Sequence, residues 1–383
     1  MDLAPGPEHE LLRDTVRRFA EREMAPLVEQ AEETESFPRQ LFRLWAEQGL
    51  LGVRYPEADG GSGFDKLADC IVREEFSRIS QSFASAWSAH THLGIWPIWK
   101  AGTDDQKARF LRPALQGELI AAFGLSEPDG GSDVRALRTR ADKVPGGWRL
   151  NGSKLYITNA PIADFILVAA RTDPDLTPAA ISLFIVPQPD PGFRISALKK
   201  HGIRGSETGL IYIEDAFVPD DGLLGGVTGT YPVLLDSLSE NRVGVAANCL
   251  GIARAAFEAS LDYARSRIVR SRPIGAYQAI AHRLADMSAE IEAARCLITY
   301  GAWRVDQGSI DAATAARVKL VAADTALRVT ESAVRLHGGA GIMREYPVGR
   351  YHNDAMVYVI GEGTAEIQRN IIARSLGLTE RAS

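Results

Sequence analysis

Near the C-terminal end of the chain, "VIGEGTAEIQRNIIARSLG" (Val359 to Gly377) sets a single carboxylate, Glu362, between Gly361 and Gly363. Glycines allow unusual backbone dihedrals and close approach of another molecule, so the acid reads as presented rather than packed. A presented carboxylate is the residue type that removes a proton from a bound ligand. The apolar residues Ile367, Ile371, Ile372 and Leu376 recur at helical spacing beyond it. Thr364 can cap that helix, and Glu366 falls in its first turn, where the helix dipole favours negative charge. The same residues also suit a solvated loop acid beside a helix start, and locally both readings stand.

Two further stretches have residue types suited to a ligand. "GLSEPDGGSD" (Gly124 to Asp133) combines Ser126, a proline turn and a glycine pair that includes Gly131 and leads to Ser132. Backbone N–H groups and small hydroxyls on such a turn can surround the polar edge of a flat cofactor or a pyrophosphate, although a plain surface turn has the same composition. In "LNGSKLYITNA", strand alternation puts Tyr156 and Thr158 on one face, an arrangement that suits a flat ring and is also common in half-buried strands.

The elements that must position these residues change character along the chain. Residues 1–118 read as helical: Leu11, Leu12, Val16 and Phe19 mark one apolar face, and Leu41, Phe42, Leu44, Trp45 and Leu50 another after Pro38. Residues 119–228 break into short apolar runs such as "GWRLNGSKLYIT", "FILVAART", "AISLFIVP" and "GLIYIEDAFVP", which predict a β-barrel or sandwich. Residues 229–383 return to long helical patterns of the kind found in a four-helix bundle. The expected class is α+β, mostly α, in the order helical, β, helical.

Composition limits the function. At 383 residues, 45% hydrophobic and 24% charged, the chain has the make-up of an ordinary globular protein. Its formal net charge of −6 argues against nucleic acid or an anionic membrane as the main partner. Cys70, Cys249 and Cys296 are widely separated, with no spacing for a disulfide framework or metal site, and read as reduced core cysteines. No leader pattern and no membrane-length apolar run is visible, so a cytoplasmic location is expected.

Taken in order, "LSEPDGGSD", "NGSKLYITNA", "YARSR…RPIGAYQAIAHRLADM", "RLHGGAGIMREYPV" and "GEGTAEIQRNIIAR" resemble the acyl-CoA dehydrogenase family over nearly the whole chain. The resemblance implies an FAD enzyme, usually a homodimer or homotetramer, that forms an α,β double bond in an acyl thioester. It implies that Glu362 is the base for the α-proton while flavin N5 accepts the β-hydride. It places Ser126, Ser132, Tyr156 and Thr158 against the isoalloxazine, with Phe123, Leu125 and Gly131 shaping that pocket. Arg267, Gln278, Gly338 and Gly339 match positions that reach the FAD of a neighbouring subunit, and Thr364 and Glu366 match positions near the cofactor's phosphate and ribose. Ser132, Arg242, Gly361 and Gly363 fall on the substrate side. Some relatives carry the base directly before Arg242; here that residue is Asn241, an amide, and Glu240 reads as a helix-surface acid.

The sequence departs from the family pattern at several positions. Ser239 replaces an acid that contacts the pantetheine arm, Arg270 and Ser271 replace Phe-Gly, Arg335 replaces Gln, Asn353 replaces an arginine, and Gly361 replaces a bulky residue, widening the pocket mouth. Arg270 and Arg335 can themselves contact pyrophosphate. Ser239 keeps open an acyl- or aminoacyl-carrier-protein substrate in place of acyl-CoA. An oxidase reoxidised by O2, in place of an enzyme passing electrons to electron-transfer flavoprotein or another acceptor, and a non-catalytic acyl-binding scaffold are further alternatives.

Overall fold

Helices fill the first part of the chain because apolar residues recur there at helical spacing. In the computed structural model, which describes residues 5–173, 177 and 180–378, they are α1 (Pro7–Phe19), α2 (Gln40–Glu47), α3 (Lys66–Ile79) and α4 (Gln81–Ser88), with shorter helical turns between and after them. Val16, Phe19, Leu41, Phe42 and Trp45 bury in one core. Leu11, expected on the same face, is 66% exposed. The buried stripe of α1 runs through His9, Val16 and Phe19 with Leu12 packed beside it, and Leu11 lies about 100° off that line.

The middle of the chain forms one curled seven-stranded sheet, β1 (Ala121–Gly124), β2 (Arg140–Val144), β3 (Gly147–Thr158), β4 (Phe165–Arg171), β5 (Ile181–Pro187), β6 (Phe193–Ala197) and β7 (Thr208–Pro219). The order is β1-β4-β2-β3-β7-β6, and β5 pairs with β4. Strand β4 is buried along its whole length, which explains the unbroken apolar run from Phe165 to Ala170 before Arg171 ends it.

Beyond it come α5 (Tyr231–Ser266), the small hairpin β8 (Ile268–Val269) and β9 (Arg272–Pro273), α6 (Gln278–Asp306), α7 (Ala312–His337), α8 (Val348–Ile360) and α9 (Ala365–Ser375). Their core includes Ala246, Leu250, Ile298, Val318 and Ala322, and it extends to Cys70 on α3, so the first helical domain docks on this one. Buried ion pairs reinforce the join: Glu74 and Glu75 on α3 receive Arg13 from α1 and Arg254 from α5. Burial opposes the charge on Glu75, yet the hydrogen bond from Arg17 and the charge of Arg254 hold its carboxyl down to about 2. Cys70 and Cys249 are buried as expected, whereas Cys296 is exposed.

Asp354 on α8 ties the last helices to the β-domain. Its Oδ1 accepts the Ile203 N–H at 2.6 Å and holds that β-branched residue at φ 47°. Burial pushes the carboxyl up to about 7, against the charge of Arg350. A raised folded pKa means that its contribution is complete below the ordinary carboxyl value and is lost as pH rises to about 7. Asp354→Asn keeps the oxygen for Ile203 without a charge to bury. Relative to it, the wild type should lose on the order of 3 kcal/mol between about pH 4 and 8. Denaturant midpoints across that range check this, and parallel curves for the two proteins would contradict it.

Candidate active site

Helix α8 ends at Gly361, whose N–H donates to the Val357 carbonyl at 2.6 Å. Glu362 then takes φ 57° and Gly363 φ 87°. The backbone strain therefore falls on the acid itself, at on the order of 1–3 kcal/mol, and Gly361 has an ordinary φ of −69°. Two buried side chains oppose that strain. Lys319 on α7 donates to the Gly363 carbonyl at 2.7 Å, and Gln368 on α9 donates to the same oxygen at 2.9 Å and to the Glu362 carbonyl at 3.3 Å. A Cβ on Gly363 would lie 2.7 Å from Gln368 Nε2, so glycine is needed for the loop to close on its clamp. Thr364 caps α9 by accepting the Ile367 N–H at 3.3 Å, as the sequence predicts.

Burial raises the pKa of the Glu362 carboxyl, although a polar contact from Asn241 and the charges of Lys319, Arg73 and Arg242 all act to lower it. Both amide atoms of Asn241 lack a regular hydrogen bond, so this contact is polar proximity rather than a formed bond. Burial lowers the pKa of Arg242 and outweighs the charge of Glu362; its Nη1 donates to Ser239 Oγ at 3.3 Å. Glu240 is not the solvated acid its helix position suggests: its carboxylate is fixed to Arg54 at 2.9 Å.

On the sheet side, Phe123 is buried on β1, Leu125 is partly buried, and Ser126 joins β3 through its carbonyl, which accepts the Leu155 N–H at 2.8 Å. The loop is fixed from beneath by buried Lys154, which donates to the Leu125 carbonyl at 3.1 Å and to Glu127 at 2.8 Å. Burial lowers the pKa of Lys154 to about 8. The ladder shifts register between Lys154 and Ile157, and Tyr156 has φ 63°, so simple alternation does not relate Tyr156 to Thr158 as the sequence suggested. The bulge leaves the Tyr156 ring 70% exposed.

These groups fit a flavin. The hydroxyls of Ser126, Ser132 and Thr158 have no hydrogen-bond partner among the described residues, and a Cβ on Gly130 or Gly131 would meet nothing within 4 Å. Helix α4 relates this surface to Glu362. Asn159, next to Thr158, donates to the Ala86 carbonyl at 2.8 Å, while Gln81 and Ser85 bond the Tyr358 hydroxyl, four residues before Glu362.

The remaining positions lie elsewhere. Arg267, Arg270 and Gln278 are exposed around the β8–β9 hairpin, and Gly338, Gly339 and Arg335 are exposed at the end of α7, where Tyr263 stacks on His337 at 4.3 Å. Asn241 and Arg267 are about 40 Å apart along α5. Arg335 pairs with Glu331 at 2.7 Å, and Glu366 is exposed on the first turn of α9. Among the described residues no acid, histidine and cysteine cluster could hold a metal.

Lys319, Gln368, Lys154 and Glu127 were not singled out from the sequence. Lys319 left a signal: it falls on the apolar stripe Ala315, Ala322 and Ala326 of α7, where a lysine needs a buried partner.

A curled sheet between two helical domains, with open hydroxyls and an exposed ring on the sheet and a half-buried carboxylate on a helical loop, defines a flavin-type oxidoreductase. Residues 6–118, 122–216 and 231–377 match the N-terminal, middle and C-terminal domains of acyl-CoA dehydrogenase, respectively. The chain belongs to this family of FAD-dependent oxidoreductases. It is 40% identical to an acyl-CoA dehydrogenase of Bacillus subtilis over 96% of this chain and 98% of that protein. Butyryl-CoA dehydrogenase from Megasphaera elsdenii superposes with a TM-score of 0.94 at 35% identity, covering 98% of this chain and 100% of the other. A glutaryl-CoA dehydrogenase from Mycobacterium smegmatis, in complex with FADH2, gives 0.94 at 28% identity, covering 99% and 97%.

The clamp makes a prediction. Removing the Lys319 charge with Lys319→Met should raise the Glu362 pKa further, because that charge now lowers it. The acid limb of kcat/KM should move to higher pH and the plateau should fall at least ~10-fold as the loop loosens. An unmoved limb would remove Lys319 from the site.

Proposed function

We propose that the enzyme dehydrogenates an acyl-CoA at its α,β carbons, with Glu362 removing the α-proton. The single observation that carries this is the Glu362 loop: a strained backbone, clamped by Lys319 and Gln368, that holds a carboxyl whose pKa burial has raised. Such a group is a stronger base than a solvated carboxylate when ionised. The Glu362 N–H donates to no described residue, which leaves it free to polarise the thioester carbonyl as the α-proton departs. Bound FAD supplies the acceptor for the β-hydride. Asn241 restrains the carboxyl, and Arg242, with Ser239 and Ser132, holds the pantetheine arm. Gly361 leaves the mouth open beside Gly363.

Phe123, Leu125, Ser126, Gly131, Ser132, Tyr156 and Thr158 hold the flavin ring, and Thr364 and Glu366 sit near its phosphate and ribose end. Arg267, Arg270, Gln278, Arg335, Gly338 and Gly339 are too far along the bundle from Glu362 to serve the same cofactor from one chain. They complete the FAD site of a second copy, which makes a homodimer or homotetramer the working unit. Electron-transfer flavoprotein is the proposed electron acceptor.

Glu362→Gln should retain FAD and bind acyl-CoA but lose anaerobic flavin bleaching by about 10²–10⁴-fold. Glu240→Gln should bleach nearly as the wild type while losing stability, since it breaks a partly buried pair with Arg54. The reverse pattern would assign the base to the wrong helix. Arg267→Ala should lose flavin or dissociate the oligomer. A wild-type protein that is monomeric by light scattering and still holds FAD normally would contradict the shared site.

A further inference from the structure

Four fully buried polar side chains lie on the helices packed around the Glu362 loop. Arg73, Gln81, Asn241 and Asn248 are each at most 1% exposed. All four nevertheless keep polar atoms without a partner: Arg73 Nη2, Gln81 Oε1, both amide atoms of Asn241 and Asn248 Oδ1. An unpaired buried donor or acceptor costs on the order of 1–3 kcal/mol.

These atoms share one region. Asn241, Gly244 and Asn248 follow one another at i, i+3 and i+7 on α5 and so form a single stripe. Arg73, from α3, lies directly on that stripe: a Cβ on Gly244 would be 2.5 Å from Arg73 Cζ. The glycine is a recess for the guanidinium. Beyond it, the Asn248 and Gln81 amides donate to the Tyr358 hydroxyl at 3.1 and 2.7 Å, one helical turn before Glu362. Asn241, at the other end of the stripe, contacts the Glu362 carboxyl.

Arg73 keeps a donor that this region does not use. Arg73 Nε donates to Asp69 at 3.1 Å, and Lys66, also fully buried, uses the same carboxylate at 2.5 Å. Arg73 Nη1 donates to Ser88 at 2.6 Å, which leaves Nη2 over. One carboxylate thus serves two buried cations, and one of them still has a free donor.

We propose that Arg73 binds a carboxylate carried on the acyl group, so that the preferred substrate is the CoA monothioester of a dicarboxylic acid rather than a plain hydrocarbon acyl-CoA. The inference rests on the reading of Glu362 as the base of an acyl-CoA dehydrogenase and names the substrate class of that site. A hydrocarbon tail would leave the Arg73 Nη2 and Asn241 Nδ2 donors unpaired, whereas a carboxylate accepts from both. Sites built to hydrogen-bond a ligand group discriminate strongly against analogues that lack it. The two similar structures described above are named for butyryl-CoA and glutaryl-CoA, which differ in this feature.

The test uses FAD-loaded full-length enzyme and chain-matched CoA thioesters of four to six acyl carbons ending in carboxylate, hydroxyl or methyl. In wild type, anaerobic flavin bleaching should show kcat/KM at least ~10-fold higher for carboxylate than for methyl. In Arg73→Met that ratio should collapse towards one, and Arg73→Lys should keep part of it. Binding to Glu362→Gln, measured by calorimetry, reads the same contact without turnover: carboxylate should bind at least ~10-fold tighter than methyl, and the added Arg73→Met change should abolish the difference. A binding preference that persists where no thioester bleaches wild type would sink the dehydrogenation reading and leave the Arg73 contact standing. Equal binding of carboxylate and methyl would overturn the contact, and a hydroxyl analogue that matches the carboxylate would overturn the charge assignment. Equal loss for every thioester in Arg73→Met, with the wild-type ratio unchanged, would reduce Arg73 to a structural ion pair.

Discussion

The buried amine of Lys319 holds the Gly363 carbonyl, and with it the strained turn that carries Glu362. Gln368 adds a second donor from the following helix. The clamp joins α7 and α9 to the loop that follows α8. It also explains a fully buried lysine, which would be costly with no partner.

The electrostatics follow from this placement. Burial raises the pKa of Glu362, and three cations restrain the rise. Burial and the neighbouring cations thus act in opposite directions on this one carboxyl. The buried pairs of α3 do different work: Glu74 and Glu75 join helices, while Asp69 is shared within α3 by Lys66 and Arg73.

The three-part order of the fold was legible in sequence because helical and strand periods differ and each part is long enough to show its own. The predicted runs recovered β3, β4, β5 and β7, but not β1 (Ala121–Gly124), β2 (Arg140–Val144) or β6 (Phe193–Ala197). Those three are four or five residues long, and β2 is largely charged and exposed, so they carry little alternation. At the site, the glycine-flanked acid stood out, but its supports did not. Lys319, Gln368 and Lys154 come from distant segments and act through backbone carbonyls, so spacing marks at most the burial of Lys319 and not the partner of any of them. The bulge at Tyr156 was invisible for a similar reason, since nothing in "KLYIT" marks a register shift.

The most direct test of the central claim is deuterium exchange at the α-carbon of a bound acyl-CoA in D2O, followed anaerobically by mass spectrometry. It reports proton removal separately from the hydride step. The account predicts rapid exchange with the wild type and none above background with Glu362→Gln. Exchange that persists in Glu362→Gln would place the base elsewhere.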